Sequence, residues 1–254
     1  MDKRRLGWRV VNAAASPREA DILLFDVIGG DGFWEDGTTA ADFVKELIDL
    51  KGNVDLIRFH INSPGGYVDD ALAMYQAILD HPATTEAHII TAYSAASFVA
   101  LAADKRLIAK TGKVMIHDAL TYAYGNASDM RALADRLDAE SENIASIYAD
   151  RAGGQPADWR SRMQANGKNG TEYRGQQAVD VGLVQELMPA SKNEYSERIA
   201  ALVTETTAPT NPEPSAQVID FAAAIRAARL ESPTPTLQQL LETQSSLSTA
   251  LKGA

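Results

Sequence analysis

Three short stretches of this chain carry residues whose types and spacing could do chemistry. Tyr93-Ser94-Ala95-Ala96-Ser97-Phe98 offers two hydroxyls among small residues, and Val114-Met115-Ile116-His117 ends on an imidazole. Asn62-Ser63-Pro64-Gly65-Gly66 joins a proline to paired glycines, a combination that forces a tight turn and brings bare backbone N–H groups to the surface. A serine hydroxyl is weakly nucleophilic until a base takes its proton, and imidazole titrates near neutral pH. Backbone amides beside such a pair would hold the negative oxygen of a tetrahedral intermediate. The chemistry open to the three stretches together is acyl transfer.

Each stretch also has a plainer reading. Gly and Pro are the commonest turn residues, so NSPGG alone is a connecting loop. A serine near a helix start is usually a cap, and Ser94 is the better cap. That leaves Ser97, in the first turn of the expected helix where the dipole favours developing negative charge, as the candidate nucleophile. The Gly-x-Ser-x-Gly elbow of α/β-hydrolases is missing. Of the four histidines, His60 and His88 fall within strands and His81 beside Pro82, which reads as structural; His117 ends a strand and is the candidate base.

The elements that must position these residues follow from apolar periodicity. Residues 21–28 (DILLFDVI), 54–61, 87–92 and 113–117 read as strands, and residues 38–50, 69–79 and 95–104 as helices. Such alternation predicts an α/β layered core with parallel strands, whose ligand crevice lies at the strand ends. A long helix is expected over residues 127–150, with Met130, Leu133, Leu137, Ile144 and Ile147 on one stripe and Gly153-Gly154 stopping it. The domain is expected over residues 20–189, after an N-terminal extension of residues 1–19. Beyond it, residues 204–215 (TETTAPTNPEPS) read as a flexible linker, and residues 218–230 and 237–251 as two amphipathic helices in a C-terminal tail spanning residues 190–254.

Bulk properties exclude several function classes. Cysteine is absent, which removes thiolate metal sites, disulfides and Cys nucleophiles. A net charge of −10 gives no basic face for nucleic acid. No run approaches the apolar length of a membrane helix, and the basic N-terminus lacks the apolar core of a signal peptide. A cytoplasmic protein without cofactor or metal is expected.

Taken in order, NSPGG, Ser-Ala-Ala-Ser, Val-Met-Ile-His, Gly125-Asn126-Ala127 opening the long helix, and Gln177-Ala178-Val179-Asp180-Val181-Gly182-Leu183-Val184 resemble the Clp protease proteolytic subunit. The pattern is closest to the phage branch, the ClpP-like head maturation (prohead) proteases. The resemblance implies a ClpP/crotonase-type α/β fold of repeated ββα units, with the long helix as the handle through which subunits stack into homo-oligomeric rings. It implies Ser97 as nucleophile, His117 as base, and the amides of Gly66 and Phe98 as oxyanion hole. The implied substrates are scaffold, capsid or portal proteins, cleaved in the host cytoplasm or inside the assembling prohead; an ATPase partner is left open.

One departure from the pattern matters. The family's acid position falls on Gly170, and glycine cannot orient an imidazole. Glu172 or Asn169 could substitute, or the site could work as a dyad, since a triad that loses one member keeps residual catalysis. Asp118, adjacent in the strand, would point to the opposite face. A non-catalytic assembly protein of the same fold is the alternative that Gly170 favours. A crotonase-like acyl-CoA enzyme has no need of a Ser-His pair, and a Ser-Lys dyad lacks a partner, Lys105 and Lys113 matching no motif.

Overall fold

Runs rich in Ile, Val and Leu alternate with amphipathic helices along the chain, and one central sheet joins them. The computed structural model describes residues 8–12, 18–29 and 39–189. In chain order the elements are β1 (Trp8–Asn12), β2 (Glu19–Leu24), α1 (Ala40–Leu50), β3 (Leu56–Ser63), α2 (Val68–Leu79), β4 (Thr84–Tyr93), α3 (Ala95–Leu101) and β5 (Lys105–Ile116). There follow α4 (Ala127–Ala152), α5 (Pro156–Gln164), a 3₁₀ turn (Gly167–Asn169), β6 (Thr171–Arg174), α6 (Gln176–Asp180) and β7 (Glu186–Leu187). The expected linker, both tail helices and the C-terminal tail of residues 190–254 lie outside the described residues.

The sheet runs β1-β2-β3-β4-β5-β6, with β7 also on β5. Strands β2 to β5 pair in parallel, while β1 and β6 run antiparallel to their neighbours. The sheet therefore reaches into residues 1–19, which the sequence reading set aside as an extension. Between Ile89 and Thr91 the β4–β5 register jumps, so that β5 has two paired halves. The first half takes β7 as its outer neighbour and the second takes β6. Two strand segments followed by a helix make up the ββα unit that the motifs imply, within a mixed α/β fold around one central sheet.

Burial explains the helices. Helix α1 starts on Thr39, whose side chain caps Asp42 N, and it buries Phe43, Leu47 and Leu50 against the sheet. Phe43 meets Phe59 of β3 with ring centroids 6.0 Å apart. Ile48, on the same helix, is exposed. Helix α4 opens with a capping box between Asn126 and Asp129, a device that typically contributes about 1 kcal/mol. Its buried residues begin only at Ser141 and include Ile144, Ala145 and Tyr148. Met130, from the expected stripe, is exposed, so the first half of α4 projects from the core.

Helix α3 is sealed at its far end by two arginines. Arg151 Nε donates to Leu101 O at 2.7 Å and its Nη2 to Ala103 O at 2.9 Å. The buried Arg106 donates to Ala103 O at 3.1 Å and to Leu183 O at 3.1 Å. Burial, and then the Arg151 charge, bring the Arg106 pKa down to about 10.

Candidate active site

Parallel strands β4 and β5 end side by side, and their ends carry the groups with chemistry. Ser94 directly follows β4, and its N–H donates to Met115 O of β5 at 2.9 Å. His117 directly follows β5. Ser94, Ala95, His117 and Gly66 line one cleft of about 280 Å³, walled by Val68, Phe98, Met115, Leu120 and Ile144, with Tyr148 among its lining residues.

The glycine turn is fitted to the β4–α3 junction. A Cβ on Gly65 would lie 2.5 Å from Tyr93 O, 2.7 Å from Ser94 Cβ and 2.8 Å from Ala95 N, and a Cβ on Gly66 would collide with Ile28 O. Only glycine lets this backbone come so close. Ser63, given no role of its own within the motif, staples the turn: its Oγ donates to Asp26 O at 2.6 Å and accepts from Gly65 N at 3.1 Å. Ile28 N bonds Gly65 O at 2.9 Å, and Tyr67 N bonds Ile28 O at 2.8 Å.

The structure corrects the assignment of the two serines. Ser97 is buried at 1% exposure, its Oγ donating to Ser94 O at 2.5 Å and meeting Tyr148 Oη at 2.5 Å. A hydroxyl so enclosed has no path to a substrate carbonyl. Ser94, read as a cap, makes no side-chain capping bond, so its hydroxyl is not spent on the helix. Its backbone has φ 53° and ψ −126°, the only positive φ at a non-glycine among the described residues. Such a conformation costs on the order of 1–3 kcal/mol and collects at functional sites. The signal available in sequence was position: of the two serines, only Ser94 sits between strand and helix.

The amide facing the cleft beside Ser94 also differs from the one expected. Phe98 lies within α3, four residues beyond Ser94, and is buried. The N–H of Ala95, first residue of α3, has no carbonyl within the helix to bond. Ala95 and Gly66 are therefore the amides available to the cleft, and Phe98 contributes its ring to the wall.

His117 is steadied from downstream. Asp118 accepts from Arg160 Nε at 2.8 Å and from Gln164 Nε2 at 3.0 Å, and Ala119 N donates to Ser141 Oγ at 2.9 Å. The imidazole Nδ1 is enclosed and has no hydrogen-bond partner among the described residues. Burial lowers the His117 pKa from its ordinary value, against an upward pull from the Asp118 backbone and carboxylate.

The expected third members do not reach it. Glu172 is engaged by Tyr93 Oη and by Arg174 Nε, the latter at 2.5 Å. The Tyr93 bond, helped by Arg174, lowers the Glu172 pKa, while burial and then Glu172 push the Tyr93 hydroxyl up to about 12. Gly170 adopts φ 56°, and a Cβ there would lie 2.6 Å from His117 Cβ and collide with Ile116 O. The backbone itself fills the place where an acid would stand.

The other histidines are occupied away from the cleft. His60 Nε2 meets Asp21 Oδ1 at 2.7 Å, both side chains 1% exposed; His81 uses both ring nitrogens on Leu47 O and Ala83 N; His88 pairs with Glu86. Lys105 pairs with Glu186. Among the described residues no group of His, Asp and Glu is arranged to hold a metal ion, and no helix is long and apolar enough to cross a membrane.

The family model for Clp protease matches residues 34–191, more than half of the chain and the whole span from α1 to β7. Fold, glycine turn and strand-end cleft agree with that match, and the chain belongs to the Clp protease family, a family of peptidases.

Proposed function

We propose that the protein is a serine endopeptidase with Ser94 as nucleophile, His117 as general base, and the Gly66 and Ala95 amides as oxyanion hole. The observation that carries the reading is that these four groups line a single cleft at the ends of adjacent parallel strands. Ser94 Oγ attacks the peptide carbonyl carbon and passes its proton to His117 Nε2, Nδ1 being enclosed. The two amides hold the resulting oxyanion. His117 then gives the proton to the departing amine, the C–N bond breaks, and water releases the acyl group by the same route in reverse order. The apolar walls suit a medium-sized apolar side chain on the acyl side of the cut.

The phage-type motifs support capsid-assembly proteins (scaffold, capsid or portal) as substrates during head maturation, with the protein acting in the host cytoplasm or within the prohead. The projecting half of α4 suits assembly into rings. Mapping a fluorophosphonate adduct tests the chemistry: labelling is expected at Ser94, and an adduct elsewhere sinks the assignment. Co-expression with the cognate capsid proteins tests the substrate, with trimming expected from wild type and none from Ser94→Ala.

A catalytically weak assembly protein is the second reading, favoured by the unpartnered Nδ1. A base whose Nε2 must accept a proton needs its hydrogen on Nδ1, and among the described residues no group accepts it there. Absence of labelling and trimming in an assembled, folded preparation would select that reading.

A further inference from the structure

Ser97 and Tyr148 form a hydrogen-bonded chain that takes no part in the chemistry above yet ends on the nucleophile. The Ser94 carbonyl can only accept, so Ser97 Oγ donates to it across 2.5 Å. That spends the one proton of Ser97, so Tyr148 Oη is the donor in the second 2.5 Å contact. Both residues are buried to 1% exposure, and the Tyr148 ring is packed on Trp159 at 5.5 Å between centroids. The same carbonyl also accepts the Ser97 N–H at 2.9 Å.

A carbonyl held by several donors fixes more than itself. The Ser94 C=O and the Ala95 N–H belong to one planar trans peptide unit and point in opposite directions. Drawing the oxygen inward toward Ser97 therefore turns the Ala95 amide outward to the cleft, and it locks ψ of Ser94 at a residue whose φ is strained. We infer that Ser97 and Tyr148 are positioning residues that hold the Ser94–Ala95 peptide plane, and so set both the nucleophile and the oxyanion donor. This rests on the reading of Ser94 as nucleophile.

The donor matters most when the oxygen carries full negative charge, so the effect falls on kcat and not on KM. With the p-nitrophenyl ester of an acylated leucine as substrate, Ser97→Ala lowers kcat by about 10- to 100-fold and leaves KM within about twofold. Fluorophosphonate labelling, in which the Ser94 Oγ–P bond forms, fluoride leaves and the proton passes to His117, slows by the same factor. Tyr148→Phe keeps the ring and gives a smaller loss of the same kind. The double variant is no worse than Ser97→Ala, because Tyr148 acts through Ser97.

All variants are compared well below their melting temperatures. A folded Ser97→Ala with kcat and labelling within twofold of wild type overturns the inference, as does additivity in the double variant. Activity retained in Ser94→Ala would sink the parent reading instead, and a wild-type adduct on Ser97 would sink both.

Discussion

The two sides of the cleft are built on different plans. On the β4–α3 side, the bonds converge on Ser94, the proposed nucleophile: its N–H and C=O are both engaged, and the glycine turn packs against its Cβ. On the β5 side the restraints stop one residue short, on Asp118 and Ala119, and the His117 Nδ1 has no hydrogen-bond partner among the described residues. The contrast teaches where this site places its precision. The proposed nucleophile and oxyanion hole are fixed by backbone, and the proposed base is fixed by position without being fixed in tautomer.

The sharpest break of that comparison is at Ser94. Ser94→Ala should lower kcat by ~10⁴-fold or more with the fold intact by circular dichroism. Ser94→Gly should be equally inactive but melt at a higher temperature than wild type, because glycine adopts the positive φ without strain. Next comes the turn: Gly65→Ala drives a methyl into Tyr93 O and Ala95 N, and kcat should fall on the order of 10²–10³-fold, the cost of losing one oxyanion donor.

On the base side, replacing Gly170 by Asp should not repair the missing acid. The new Cβ presses on His117, and activity should drop by roughly tenfold where a simple truncation would have been rescued. The pH profile sharpens the same point. His117 must be neutral to act, and its pKa is lowered by burial, so kcat/KM should stay near its plateau down through the ordinary histidine range of about 6.5 and fall only below it. A midpoint above that range would place an acid beside Nδ1 after all. Smallest is Glu172→Gln, expected to change kcat by less than about twofold because its partners are Tyr93 and Arg174.

The fold was largely legible because each core strand is a continuous apolar run and each helix has a clear apolar face. Val68–Leu79 and Ala127–Ala152 came within two residues of expectation, the second because Asn126 and Gly153 punctuate it. Helix α5 and strand β6 were not foreseen. The former has a polar sequence, PADWRSRMQ, that buries only Trp159 and Met163. The latter is a four-residue edge strand whose pairing with β5 is a long-range matter. His117 and the glycine turn were singled out in the sequence by residue type, and the structure brings both to the cleft. The choice between Ser94 and Ser97 was not legible there, because the two lie one helical turn apart in similar surroundings of small residues. What separates them is a backbone torsion and a buried tyrosine 51 positions downstream of Ser97.

The arginine seal at the far end of α3 has a consequence for solution conditions. Arg106, buried, and Arg151, half-buried, spend their donors on main-chain oxygens, neutral acceptors for which mobile ions compete little. Surface pairs such as Lys45 with Asp49 are weakened as ionic strength rises. Helix α3, which leads out of Ser94, is thus anchored in a manner little affected by salt, and changes of electrolyte act first on the periphery of the molecule.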